Sequence, residues 1–274
     1  MTRKMMLRAA SAVLTLGLIA PQAYADGQIG GKDELQDKAK VATKGQLGTI
    51  KVEDILTKID AVLTKVKDQT YEAKLEVLRD GKVTKTLEFT VKLKGLFQKM
   101  VKFTAPGDVR DMAVVTTADG LMYVYMPSYK RVRRVAAHVR NQGFMGTDVT
   151  PEEMAITTMS VGWKAKILKQ DSLVWVLELK PDEGNESLYS KLVVTVSKEH
   201  EGVEKIDSYD SAGKLVRSQI RTEWKNFGAV SIPSVMTFQD HRTGSETVMR
   251  FLNCKVNQGI PDSAFTTRAL TRGE

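Results

Sequence analysis

The feature that most constrains this chain is a change in hydrophobic period close to residue 68. Before it, Val52, Ile55, Leu56, Ile59, Val62, Leu63 and Val66 recur at steps of three and four, which places them on one face of an amphipathic helix. After it the period drops to two. Tyr71, Ala73, Leu75 and Val77 alternate with polar residues, Asp80-Gly81 signals a hairpin turn, and Leu87, Phe89, Val91 and Leu93 alternate on the return. Similar runs follow between residues 97 and 126 and between 163 and 256, giving about a dozen short strands. Such a series predicts one large antiparallel sheet rather than βαβ units. Strand twist makes a sheet of that size curl. The helices, whose faces are apolar, are expected to plug the curl.

The N-terminal residues bear on the compartment. Arg3, Lys4 and Arg8 precede an uncharged apolar run from Ala9 to Ala20, and Ala23-Tyr24-Ala25 supplies an A-x-A cleavage site. This order predicts a cleavable signal peptide over residues 1–25 and a periplasmic product. The apolar run is shorter than the roughly 20 residues a bilayer span requires. Residues 26–48 are rich in Gly, Lys and Asp and read as a flexible arm, leaving 49–274 as one domain. The whole chain carries a net charge of +8, and losing the three basic residues of the leader leaves +5. An exported protein rarely meets DNA, so the excess points to anionic lipid head groups or an acidic protein partner rather than nucleic acid. Cys254 stands alone, so it makes no intramolecular disulfide; without an activating neighbour it reads as an inert buried thiol.

An insert of different character, residues 128–160, divides the two strand series. Lys130 to Arg134 is a basic run with two readings. It is a patch for a phosphate, a head group or an acidic partner, or it is a solvated edge strand whose charges discourage aggregation. Phe144 and Met145, set between Gly143 and Gly146, suit either a mobile apolar lid or an ordinary core anchor. Thr150, Pro151 and Glu153 form a capping-box helix start, with Met154 in its first turn. Enzymatic motifs are missing: the sequence holds no G-x-S-x-G, H-E-x-x-H, P-loop, G-x-G-x-x-G or C-x-x-C. Glu199-His200-Glu201 reads as a solvated turn, because adjacent strand residues point to opposite faces. The expectation is a protein without catalytic residues, metal or cofactor.

The stretch Tyr123-Val124-Tyr125-Met126-Pro127-Ser128-Tyr129-Lys130-Arg131-Val132-Arg133-Arg134, followed by Gly143-Phe144-Met145-Gly146-Thr147-Asp148, resembles the LolA/LolB-like outer-membrane lipoprotein-sorting proteins, in a branch of larger uncharacterised relatives. The opening amphipathic helix and the ending Ile260-Pro261-Asp262-Ser263-Ala264-Phe265 fit the same pattern. The resemblance implies a mainly β fold. It would be a single incompletely closed antiparallel β-barrel of about eleven strands, with a few helices over a hydrophobic cavity. It also implies a monomeric periplasmic carrier for the acyl chains of lipoproteins or lipids. An inner-membrane transporter (ABC or resistance–nodulation–division type) and an outer-membrane acceptor would be its partners. The residues expected at the cavity and lid are Leu87, Phe89, Val91, Tyr123, Tyr125, Phe144, Met145 and Met154. Arg131, Arg133 and Arg134 are expected to meet head groups or a partner. The alternative, from a different class, is a lipid-sensing accessory protein that regulates an inner-membrane exporter.

Overall fold

The computed structural model describes residues 50–95, 97–135, 146–149, 158–183, 185, 187–228 and 230–271. The leader, the arm and most of the insert lie outside these residues. One α-helix, α1 (Val52–Lys65), comes first, with Glu53 and Asp54 in its first turn and Lys65 in its last, each complementing the helix dipole. A first run of strands follows: β1 (Asp68–Arg79), β2 (Lys82–Lys94), β3 (Gln98–Ala105), β4 (Ala113–Thr116), β5 (Met122–Met126) and β6 (Arg131–Arg134). The second run comprises β7 (Trp163–Gln170), β8 (Val174–Pro181), β9 (Lys191–Ser197), β10 (Gly202–Tyr209), β11 (Leu215–Thr222), β12 (Lys225–Phe227), β13 (Val230–Ile232), β14 (Val235–Asp240) and β15 (Ser245–Val256). Asp80 and Gly81 both adopt positive φ at the β1–β2 turn, the conformation that Asp-Gly tolerates and that matches strand twist.

Thirteen strands form one antiparallel sheet in the order β6-β5-β4-β3-β2-β1-β15-β14-β11-β10-β9-β8-β7, and β12–β13 make a separate hairpin. The sheet is not closed into a barrel: β6 and β7 remain its two edges. Expected closure was incomplete, and the strand number of about eleven becomes thirteen. Both edges are cationic, with Arg131, Arg133 and Arg134 on β6 and Lys164, Lys166 and Lys169 on β7. Charged edges resist pairing with another sheet, so the basic run Lys130–Arg134 serves at least its structural reading.

Register divides the side chains between two faces. Leu75 pairs Leu87 and Met249, Met249 pairs Met236, and Phe238 on β14 pairs Gln219 on β11. Ile206 pairs Gln219 and Val194, and Val194 pairs Leu177. Opposed residues in an antiparallel ladder share a face, so these side chains line one continuous surface, called here the inner face. On one half, Leu75, Leu87, Phe103, Phe238 and Phe251 form the first apolar cluster. On the other half, Leu177, Leu179, Leu192 and Val194 form the second, covered by Ile55, Leu56 and Ile59 of α1. Lys58 of α1 reaches Glu201 at 2.7 Å and fastens the helix over that half.

The third cluster lies on the outer face. Met100, Ala113 and Val115 pack there against Ile260, Phe265 and Leu270 of the C-terminal segment, which contains two short 3-10 turns. That segment is held where β1 begins. The buried Asp68 carboxylate accepts hydrogen bonds from the amides of Gln258 (2.7 Å), Gly259 (2.8 Å) and Ile260 (3.3 Å). Asn257 adds two more links, accepting from the Lys67 amide and donating to the Lys65 carbonyl. Asp68→Ala is expected to lower the unfolding free energy by about 2 kcal/mol, since it strands three amides that share one charged acceptor. Urea denaturation followed by tryptophan fluorescence checks this, and an unchanged midpoint would show that the segment is held by its apolar contacts alone.

Candidate functional site

The inner face is the feature with functional capacity, and its apolar surface is interrupted by a polar seam. On β11 the residues Arg217, Gln219 and Arg221 point to the same side as Phe238 and Met236, with which they are in register. Arg217 pairs with Asp240 at 2.9 Å, both side chains almost fully buried, and Arg242 reaches the same carboxylate at 2.6 Å. Burial pushes the Asp240 carboxyl up, but the hydrogen bonds and charges of Arg242 and Arg217 prevail and hold it at about 2. Arg221 has weaker company. Its Nη2 donates to Gln219 Oε1 at 2.8 Å and its Nη1 to the Val203 carbonyl at 3.4 Å, while Nε is buried without a partner.

Two stretches of the insert, residues 146–149 and 158–160, are fastened to the two halves of this face by carboxylates. Asp148 accepts from Arg79 Nη1 (2.9 Å), from Thr247 Oγ1 (2.8 Å) and from Ser245 Oγ, which sets Val149 into the first cluster. Asp60 of α1 accepts from the amides of Met159 (2.9 Å) and Ser160 (2.9 Å), which sets Met159 into the second. Residues 149 and 159 therefore rest on opposite sides of the seam. A further cavity of about 230 Å³ opens beside the first cluster, walled by Phe227 and Ile232 of the small hairpin and by Phe251. Its polar lining comprises Lys225, Asn253, Cys254 and Ser234, whose hydroxyl is buried and unpaired. Burial pushes the Cys254 thiol up, while a hydrogen bond from Gln69 Nε2 acts against that rise. Raised thiols are poor nucleophiles.

The expected site residues separate into three groups. Leu87, Phe89 and Val91 stand on the inner face, at 0%, 4% and 1% exposure, inside the first cluster. Tyr123 and Tyr125 do not join them. Val91 pairs Val101, Val101 pairs Val114 and Val114 pairs Val124, so Val124 carries the inner face across to β5. Its two tyrosine neighbours point outward and pack against the third cluster instead. The alternation of β5 fixes that Tyr123 and Tyr125 act together, but only the pairing with β4 fixes their side. The arginines also divide: Arg133 opposes Val124 and Arg131 opposes Met126 on the inner face, whereas Arg134 opposes Tyr123 on the outer. Phe144, Met145 and Met154 lie outside the described residues.

Other inner-face residues were legible but not singled out. Met236, Phe238, Met249 and Phe251 have the same alternation as Leu87 and Phe89, and they extend the apolar surface to the seam. The carboxylates Asp60 and Asp148 carry no sequence signal, because their partners lie about a hundred residues away in the chain, as in Asp148 with Thr247 (99 residues) and Asp60 with Met159 (99 residues). Among the described residues no group of three His, Cys, Asp or Glu is placed to hold a metal ion, and no helix is long and apolar enough to cross a membrane.

The Asp148 clamp makes a pH prediction. Burial raises its carboxyl pKa, but the hydrogen bonds from Arg79, Ser245 and Thr247 and the Arg79 charge outweigh that and hold it below the ordinary carboxylate range. A depressed carboxyl stabilises the fold above its unfolded pKa, and the stabilisation is lost as pH falls through the folded value. Asp148→Asn is therefore expected to unfold about 2 kcal/mol more easily at neutral pH. Its deficit relative to the wild type should shrink as the solution is acidified. Thermal melts across an acidic pH series test this; a deficit independent of pH contradicts it.

Solved structures share the architecture. A DUF1329 family protein from Desulfovibrio piger is 25% identical, with a TM-score of 0.71 over 80% of this chain and 97% of that one. A domain provisionally assigned to outer-membrane lipoprotein sorting, from Vibrio parahaemolyticus, is 21% identical, with a TM-score of 0.70 over 80% of this chain and 98% of that one. A LolA superfamily protein from Nitrosomonas europaea is 19% identical, with a TM-score of 0.62 over 81% of this chain and all of that one. The last two likenesses establish a shared fold. No curated protein matches the chain. A family model described as "Uncharacterized protein" matches residues 95–272, which is more than half of the chain. The protein belongs to that family of uncharacterized proteins.

Proposed function

We propose that this protein is a periplasmic carrier which shields the acyl chains of lipoproteins or lipids on its inner face and moves them towards the outer membrane. The observation that carries the reading is the inner face itself. Two apolar clusters lie side by side on one open sheet, and α1 covers the second of them. An acyl chain in water carries a cost of about 0.8 kcal/mol for every CH₂ that an apolar surface would cover, so a multi-acyl anchor needs such a surface to cross an aqueous compartment. The fold likeness to lipoprotein-sorting and LolA superfamily structures supports the same reading. In it, Leu87, Phe89 and Val91 belong to the acyl-binding wall, with Phe144, Met145 and Met154 of the insert as the lid. Arg131 and Arg133, at the exposed inner edge on β6, meet the head group or a partner. The partners would be an inner-membrane transporter that loads the protein and an outer-membrane acceptor that unloads it.

Lipid extraction and native mass spectrometry of protein purified from its own periplasm test this. Co-purifying lipid or lipoprotein is expected, and replacing Phe144 and Met145 together by Ser is expected to reduce its occupancy several-fold. A folded protein that never carries a lipid would sink the carrier reading.

A further inference from the structure

Lys99 has surroundings unlike those of any neighbouring lysine. It occupies the second position of β3, in register with Leu93 on β2 and Thr116 on β4, and so shares the inner face with Val101 and Phe103. The residue is only 5% exposed, burial alone acts on its ammonium, and no ion pair or side-chain hydrogen bond joins it to a described residue. Directly across the ladder, Thr116 is 3% exposed and its Oγ1 is likewise buried without a partner. An ammonium and a hydroxyl thus stand opposite each other on the inner face, and neither is joined by a side-chain hydrogen bond to a described residue. Arg221, the other poorly compensated cation of this face, differs because two oxygens accept from it.

Burying an ammonium without an acceptor is unfavourable, and a lysine in this place contributes nothing to packing that a methionine would not. Burial accordingly draws Lys99 down to about 7. An anion with several acceptor oxygens has the chemistry to satisfy both groups. Such a group would take a charge-assisted hydrogen bond from the ammonium and a second bond from the hydroxyl.

We propose that Lys99 and Thr116 together bind one anionic oxygen group, a phosphate or a carboxylate. As a head-group site it rests on the carrier reading; as an anion site it does not. Calorimetric titrations of the purified protein with dihexanoylphosphatidylglycerol, uncharged dihexanoylglycerol and inorganic phosphate separate the two. The wild type is expected to prefer the anionic lipid about tenfold, the equivalent of one charge-assisted hydrogen bond. Lys99→Met should lose that preference while still binding dihexanoylglycerol, and should melt at a higher temperature than the wild type without ligand. Thr116→Val should show a smaller loss. Inorganic phosphate that binds the wild type and not Lys99→Met, with neither lipid binding, supports the anion site and overturns the carrier reading. A wild type without charge preference, or a preference that survives in Lys99→Met, overturns the proposal. So does failure of all three ligands to bind.

Discussion

A thirteen-stranded sheet that does not close has to bury one of its faces without a second sheet to do it. Everything else in this protein answers that constraint. Pairing runs unbroken from β3 to β8, and where a bulge interrupts the alternation, as between Val203 and Ile206 on β10, the apolar residues on both sides of it still fall on the inner face. Covering that surface removes water at about 25 cal/mol per Å², and α1 does so for only one half. The other half is reached by Val149 and by the β12–β13 hairpin through Ile232. On the outer face an apolar cluster lies over β3–β5, where the C-terminal segment covers it.

Polar groups on the inner face fall into two classes. Those with a structural task are saturated: Asp240 has two guanidinium partners, and Asp148 has Arg79 and two hydroxyls. The hydroxyls of Thr116 and Tyr71, the Nε1 of Trp175 and the Nε of Arg221 are buried without a partner, and Lys99, 5% exposed, faces Thr116 across the ladder. A buried donor left unpaired costs about 1–3 kcal/mol, so these positions are expensive unless something arrives to accept from them. An apolar surface interspersed with unsatisfied polar groups is the arrangement suited to an amphiphile, which offers hydrocarbon to one part and oxygen to the other.

Periodicity made most of the architecture legible in advance. The helix was expected over 52–66 and spans Val52–Lys65, and the Asp80-Gly81 turn and the long β1–β2 hairpin stand where alternation puts them. Periodicity alone could not assign faces between strands. Tyr123 and Tyr125 look like cavity residues in a strand read alone, and they turn outward because Val114 pairs with Val124. The basic run divides between faces for the same reason. Lys99 was visible too, as a charge in phase with Val101 and Phe103, but its burial depends on the neighbours β2 and β4 rather than on its own strand. The contacts that fasten distant segments, such as Asp68 with the C-terminal amides and Asp60 with Ser160, depend on tertiary placement and leave no local pattern.

The central claim is that the inner face, and not the outer, receives an acyl chain. Photolabelling with a diazirine-bearing fatty acid, read at residue resolution by mass spectrometry, addresses it most directly. Insertion is expected into Phe89, Met236, Phe238, Met249 or Phe251, and into Val124 rather than its neighbours on β5. Label confined to Tyr123, Tyr125 and the segment from Ile260 to Leu270 would place the ligand on the outer face and contradict it.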